Sequence, residues 1–116
     1  MNKPDDFEVW RLPDDESVQK VSCQKDTKAP SSMIFVIERE DHTVGNMLRM
    51  QLLQDANVLF SGYRVPHPLE PAIQLKVQTR SEKCTPAQAV LKAIGTLEED
   101  LGALRSDFLA SMETQN

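Results

Sequence analysis

This chain of 116 residues has few of the side chains that form redox, metal or phosphate sites. Its two cysteines, Cys23 and Cys84, lie far apart and form no CxxC motif, so the sequence indicates neither a zinc motif nor a redox motif. None of its four glycines belongs to a Gly-rich phosphate loop. No apolar run approaches the ~20 residues of a membrane-spanning helix. We therefore expect no cofactor, no metal and no membrane contact.

Positive charge is also scarce, because 13 lysines and arginines stand against 18 acidic residues, for a formal charge of −5. Binding to a phosphate backbone depends on clustered cations, so no direct sequence-specific contact with nucleic acid is expected. The first residues carry no apolar h-region of a signal peptide, which favours an intracellular, soluble protein. The length suits one domain with a single core.

The acidic character is strongest in an N-terminal arm, residues 1–16, which holds six acidic side chains. Phe7, Trp10 and Leu12 are among its few apolar residues. Such a segment is usually loose or held by a neighbour, and its aromatic residues suggest docking onto a partner. We expect the domain to span residues 17–112 and a short tail to span 113–116.

The hydrophobic pattern predicts four strands. Two come first, over residues 18–23 and 33–37, and the second is continuously apolar, which favours burial on both of its faces. A third is predicted over 59–65, followed by a turn over 66–71 that contains three prolines. Residues 73–80 then alternate between apolar and polar side chains, which indicates a sheet covered on one side.

A first helix is predicted over residues 43–55, with Asp41 or Thr43 as its N-cap. At 100° per residue, an apolar arc of roughly 140° forms on one side of this helix. The arc consists of Val44, Met47, Leu48 and Leu52. Met50 and Leu53 fall outside it, so the helix is apolar on more than one side. One side can cover the sheet while another meets a second protein.

The second predicted helix, over residues 86–111, has a capping box at Thr85 and Gln88 and a proline at its first position. Apolar residues recur along it at steps of four and three, as in a heptad pattern. They are Val90, Ile94, Leu97, Leu101, Leu104 and Phe108. At 1.5 Å per residue the helix is about 40 Å long, more than strands of this length can cover. Its excess apolar surface predicts contact with another subunit.

The predicted order is therefore β-β-α-β-β-α, an α+β fold with two helices on one face of one sheet. Little in it indicates catalysis. Asp41 and His42 could form an acid–base pair in a small acidic enzyme, but neighbouring residues at a helix start more often organise the cap and turn. His42 and His67 stand alone in the sequence and lack the spacing of metal ligands.

Two blocks of sequence, separated by 11 residues, carry a family resemblance. Their diagnostic residues are Glu40, Asp41, His42, Thr43, Val44, Gly45 and Asn46, followed by Val58, Phe60, Gly62, Tyr63, His67 and Pro68. Together with the spacer, they resemble the alpha-like small subunits of eukaryotic and archaeal RNA polymerases. The N-terminal residues and the stretch 25–30 resemble the small subunit of RNA polymerase II most closely.

The resemblance implies a fold similar to the dimerisation domain of the bacterial polymerase alpha subunit. It implies a nuclear, non-catalytic subunit that pairs with the larger alpha-like subunit and contacts other core subunits, especially the second largest. The two helices would then form the partner interface through Met47, Met50, Leu53, Leu97, Leu101, Leu104 and Phe108. No residue of this chain would be catalytic.

Three alternatives remain open at this point. The small subunit shared by RNA polymerases I and III resembles this family but tends to carry a longer acidic leader. The archaeal counterpart is usually shorter and lacks residues like 1–16. A small acidic enzyme that uses Asp41 and His42 belongs to a different functional class.

Overall fold

The computed structural model describes residues 19–115, so the N-terminal arm and Val18 of the first predicted strand lie outside the described residues. Six elements follow in the predicted order. They are β1 (Val21–Lys25), β2 (Ser32–Glu38), α1 (His42–Leu53), β3 (Val58–Arg64), β4 (Ala72–Thr79) and α2 (Pro86–Thr114). The predicted α+β fold class is confirmed.

The strands form one antiparallel sheet in the order β1-β2-β4-β3, so β2 and β4 are its interior strands and β1 and β3 are its edges. One face of the sheet meets the helices. Along β4 that face consists of Ile73, Leu75 and Val77, which are fully buried. Leu48 and Leu52 of α1 and Ala89 and Ala93 of α2 complete this core. The alternation of β4 therefore predicted the buried face correctly.

The prediction that β2 is buried on both faces is wrong. Phe35 and Ile37 are buried on the helix side, whereas Ile34 and Val36 on the opposite side are only partly buried. The two described helices cover one face of the sheet, so an apolar side chain on the other face keeps part of its exposure. A continuous apolar run cannot by itself report which strand faces are covered.

The helix ends also differ slightly from the predictions. α1 ends at Leu53, two residues before the predicted end, because Gln54 and Asp55 close the last turn onto Gln51 and Leu52. α2 begins at Pro86 behind the predicted capping box, since the Thr85 hydroxyl accepts from the Gln88 amide. It continues to Thr114, three residues beyond the predicted end. The tail boundary after residue 112 stays a prediction.

The start of α1 is held against β3 by the two sequence blocks. Asp41 is the N-cap, and its carboxylate accepts from the Thr43 amide at 3.0 Å. The next residue, His42, contacts Tyr63 through Nδ1 and the tyrosine hydroxyl, 2.9 Å apart. The two rings meet edge to face, with their centroids 5.6 Å apart. The two sequence blocks therefore meet in space. The spacer between them consists of the rest of α1 and the turn that follows it.

Gly45 allows the close approach of α1 to β3. A Cβ atom at this position would lie 2.6 Å from Cδ2 of Tyr63, closer than real Cβ contacts come. The Tyr63 ring packs against the core, and its hydroxyl contacts His42, so it cannot turn aside freely. Glycine is therefore required here for space, since no positive φ occurs at any glycine among the described residues.

The turn between β1 and β2 is organised by Asp26, which is nearly buried. Its carboxylate accepts from the Lys28 amide at 2.9 Å and pairs with Lys76 Nζ of β4 at 2.8 Å. The hydrogen bond from Lys76 and that from the Lys28 amide hold the pKa of Asp26 below its ordinary value, against the opposing effect of desolvation. This carboxylate joins the turn to the central strand.

We expect Gly45→Ala to destabilise the chain, by about 1–3 kcal/mol in the free energy of unfolding, because the new methyl group forces α1 off β3 or displaces the Tyr63 ring. Where nothing obstructs the new methyl group, replacing glycine by alanine in a helix raises stability by about 1 kcal/mol. A loss of stability at Gly45 would therefore indicate a steric conflict. Urea unfolding followed by circular dichroism measures it.

The matched control is Gly95→Ala in α2, where nothing lies within 4 Å of the added Cβ. This change should leave stability unchanged or raise it by up to about 1 kcal/mol. The combination of Gly45→Ala with Tyr63→Leu should cost less than the sum of the single changes, because the obstructing ring is gone. Additive costs would contradict the steric explanation.

Asp26→Asn should destabilise the chain at neutral pH but not in acid. A carboxyl whose pKa is depressed by folding stabilises the folded state above its unfolded pKa of about 3.9, and this contribution disappears as the pH falls through the folded pKa. The difference in urea midpoint between wild type and variant should therefore be constant between about pH 5 and 7 and shrink below about pH 4. A difference that does not depend on pH would show that the lost ion pair is not its cause.

Candidate functional site

α1 also exposes apolar side chains, on the side opposite its buried one. Leu48 and Leu52 are 5% and 0% exposed and face the sheet. Met47, Met50 and Leu53 follow one another at steps of three and are 36%, 49% and 49% exposed. At 100° per residue, Met50 lies almost opposite the centre of the buried face. The expectation that α1 is apolar on more than one side is thus confirmed.

α2 divides into a half that packs on the sheet and a half that packs on none of the described residues. Ala89 and Ala93 are buried in the first half, and Val90 and Leu97 pack partly against the same core. From Glu98 to Gln115 every residue is exposed. Of a helix about 44 Å long, the second half therefore projects beyond the sheet.

The projecting half continues the apolar side of the first half. The residues at the predicted stripe positions Leu101, Leu104 and Phe108 are 54%, 63% and 63% exposed. They lie within about 40° of Leu97 around the helix axis, on the side that meets the core further back. One apolar stripe thus begins in the core and continues along the solvent-exposed half of α2. Of the predicted interface residues, Leu97 stands apart because the chain's own core already covers part of it.

Several further exposed apolar residues were not in the predicted interface. Met112, 49% exposed, extends the stripe one step beyond Phe108. It was missed because the helix was predicted to end at residue 111, although the step of four from Phe108 is visible in the sequence. Ile94 belongs to the predicted stripe and is 38% exposed, whereas Leu91 and Leu109 lie on a neighbouring side of α2.

Both helices therefore carry exposed apolar side chains that are neighbours on one side of the helix. Monomeric soluble proteins rarely expose contiguous apolar patches beyond a few hundred Å², and larger ones mark binding sites. Full burial of a leucine, methionine or phenylalanine side chain stabilises by about 1.5–3 kcal/mol. The two helices touch each other on the same face of the sheet, so one partner can reach both. The arrangement can therefore bind a protein through helix packing.

The residues considered for catalysis have structural roles. Asp41 caps α1, and His42 contacts Tyr63, so both side chains are engaged at the helix start. His67 lies exposed in the turn between β3 and β4. Within residues 19–115, no three His, Cys, Asp or Glu side chains come together as a metal site would require. The Asn46 side chain accepts from Arg49 in α1 at 2.7 Å.

Neither helix in the described part of the chain has the length and hydrophobicity needed to cross a membrane. The described cysteines are both free, with Cys23 exposed on β1 and Cys84 partly buried before α2.

Comparison with known proteins agrees with this arrangement. Residues 32–107 match the family described as the RNA polymerase Rpb3/Rpb11 dimerisation domain. The matched segment begins at β2 and includes α1, the two sequence blocks and most of α2. It is more than half of the chain.

Curated relatives extend the similarity over nearly the whole length. The chain is 51% identical over 104 residues to the probable DNA-directed RNA polymerase II subunit RPB11 of Caenorhabditis briggsae, covering 90% of this chain and 82% of that protein. It is 40% identical over 113 residues to DNA-directed RNA polymerase II subunit rpb11 of Dictyostelium discoideum, covering 97% of this chain and 92% of the other. The predicted resemblance to the small subunit of RNA polymerase II is confirmed.

A solved structure supports the fold. The crystal structure of DNA-directed RNA polymerase subunit L from Thermoplasma acidophilum superposes with a TM-score of 0.58 at 24% identity, covering 84% of this chain and 98% of that one. This likeness supports the fold described above, four antiparallel strands with two helices on one face. The chain therefore belongs to the Rpb3/Rpb11 dimerisation-domain family and, within it, to the RPB11-type small alpha-like subunits of RNA polymerase II.

Proposed function

We propose that this chain is a non-catalytic core subunit of RNA polymerase II that pairs with the larger, Rpb3-like subunit through the exposed apolar sides of α1 and α2. In this proposal the pair is the platform on which the two large catalytic subunits assemble, with contacts to the second largest subunit in particular. The site of action is the nucleus, where RNA polymerase II works.

The observation that carries the proposal is the projecting half of α2. A long exposed helix with an apolar stripe gains little from its own chain, because isolated helices owe most of their stability to packing of the apolar face. Leu101, Leu104 and Phe108 each remain more than half exposed. A partner helix that packs along the stripe would bury these side chains and stabilise the helix together with the complex.

The role of α1 follows from its two apolar sides. Its sheet side is filled by this chain, which leaves Met47, Met50 and Leu53 for the partner. Methionine is flexible and polarisable and adapts to an irregular partner surface. The Gly45–Tyr63 contact fixes the position of α1 on the sheet and so presents this second side to the partner. The sequence blocks would then act on pairing indirectly, by positioning α1.

The remaining surface supports a structural role. Asp41 and His42 are engaged in the helix start, and no feature of the described residues favours an enzyme over a binding subunit. The net charge of −5 favours protein partners over nucleic acid. In this view magnesium ions and nucleotide chemistry belong to the large subunits.

Leu101→Asp should abolish or strongly reduce pairing, because a charge buried in the interface without a partner is costly. Coexpression of a tagged larger alpha-like subunit with each variant, followed by affinity capture and sizing, measures recovery of the pair. Ser106→Asp is the matched control, since it adds the same charge on an exposed position about 140° away around α2. Normal recovery with Leu101→Asp, or equal loss with Ser106→Asp, would contradict the proposed helix interface.

Leu52→Ala and Leu53→Ala should separate folding from pairing. These neighbours in α1 are 0% and 49% exposed, so the first truncation leaves a core cavity and the second does not. Leu52→Ala should lower the free energy of unfolding of the isolated chain by about 2–5 kcal/mol. Leu53→Ala should change it by no more than about 0.5 kcal/mol and weaken binding of the larger subunit instead. A Leu53→Ala variant that pairs with unchanged affinity would remove α1 from the interface.

A further inference from the structure

The face of the sheet that carries no described helix contains a groove of about 440 Å³. It runs over β2, β4 and β3 and ends at the turn that follows β1. The apolar part of its lining includes Ile34 of β2 and Phe60 of β3, and the Phe60 side chain is 47% exposed. Gly62 leaves room for this ring, since a Cβ there would lie 3.0 Å from the ring's Cζ. The groove is separate from the apolar sides of the helices.

The groove is positively charged in a negatively charged protein. Lys28, Arg64 and Lys76 line it, against the single carboxylate of Asp26. Lys76 already pairs with Asp26 and lies 5.9 Å from the centroid of the Phe60 ring. Among residues 19–115, Arg64 donates to the uncharged Gln74 side chain and pairs with no carboxylate. The groove therefore fits an extended segment that carries both acidic and aromatic side chains.

The chain itself contains such a segment outside the described residues. The N-terminal arm, residues 1–16, has six acidic side chains and two basic ones. It also holds Trp10, the one tryptophan of the protein. Where a segment is extended, alternate side chains point the same way, so Glu8, Trp10 and Leu12 can face one surface together. An acidic, an aromatic and an aliphatic side chain match the cations and the apolar lining of the groove.

The path from the arm to the groove is short. β1 starts at Val21, which pairs with Ile37, and Ile37 pairs with Ile73 next to Gln74 of the groove. Crossing from β1 to β3 takes three strand spacings, about 14 Å, and Phe60 lies about 14 Å along β3 from Arg64, so the direct distance is about 20 Å. The eight residue steps from Trp10 to Val18 can span about 26 Å. The arm can therefore reach the groove of its own chain.

We propose that the N-terminal arm occupies this groove in cis, with Trp10 against Phe60 and arm carboxylates facing Arg64 and Lys28. The arm then covers the second face of the sheet, and its negative charge is compensated there. Binding within one chain costs less entropy than binding a separate molecule, because the arm is held at high effective concentration. This proposal does not depend on pairing with the larger subunit.

Fluorescence of Trp10 in the full chain tests the proposal directly, since no second tryptophan interferes. Compared with a synthetic peptide of residues 1–18, the full chain should emit at a shorter wavelength. Acrylamide should also quench the emission of the full chain less than that of the peptide. The double variant Arg64→Glu/Lys28→Glu and the variant Phe60→Ala should each shift both properties toward those of the peptide. Lys83→Glu is the matched control, an exposed charge reversal outside the groove, and should leave both properties as in wild type.

Three results would overturn the proposal. Wild-type emission equal to that of the peptide would show that Trp10 is not covered. A short-wavelength emission that persists in the groove variants, with circular dichroism confirming the fold, would place the arm on another surface. A shift that disappears on dilution would show that a second copy covers Trp10. None of these results would bear on the heterodimer, which the helix variants test.

Discussion

The close contact between Gly45 and Tyr63 is the constraint on which the positions of the other parts depend. It brings α1 onto β3 at a distance that no larger residue would permit. His42 contacts the same tyrosine from the preceding turn, and Asp41 caps the N-terminus of α1. One aromatic ring thus links the start of α1 to the sheet. The side of α1 that remains exposed is a consequence of this placement.

The second helix, α2, has a packed half and a projecting half. Its first half is an ordinary core helix, with small residues such as Ala89 and Ala93 packed closely on the sheet. Its second half keeps the same apolar side but has no sheet beneath it. A single continuous stripe therefore serves two purposes: the inner part joins the helix to its own domain, and the outer part is available to a partner. Leu97 lies at the boundary between the inner and the outer part of the stripe.

The two faces of the sheet are chemically distinct. The helix face is apolar and filled by this chain, and its helices present further apolar surface outward. The opposite face has charged, polar and apolar side chains together, with a positive groove among Arg64, Lys76 and Phe60. Hydrophobic packing is non-directional and suits a large helix interface, whereas charge complementarity favours one segment over others. The proposed partner and the proposed occupant of the groove therefore make use of separate physical properties.

Local patterns in the sequence predicted the order of the elements, because period-two alternation, capping residues and a heptad stripe are read within a few neighbouring residues. The alternation over 73–80 indicated the buried face of β4, and Thr85 marked the start of α2. The same patterns predicted that α2 has more apolar length than the sheet can cover. The partial exposure of Ile34 and Val36 was not predictable, since an apolar run has the same appearance whether one face or both are covered.

Tertiary structure alone decided which distant residues meet. The sequence contains Gly45 and Tyr63 in separate blocks, but only the packing of α1 on β3 shows that a methyl group would not fit between them. Asp26 and Lys76, which are 50 positions apart, likewise form an ion pair only because β4 lies beside β2. Local propensities act over a few residues, whereas these contacts depend on strand order and on the angle at which a helix crosses the sheet. The chain's own periodicity thus determined its elements and its surplus of apolar surface, and the fold decided where that surface and the charged groove lie.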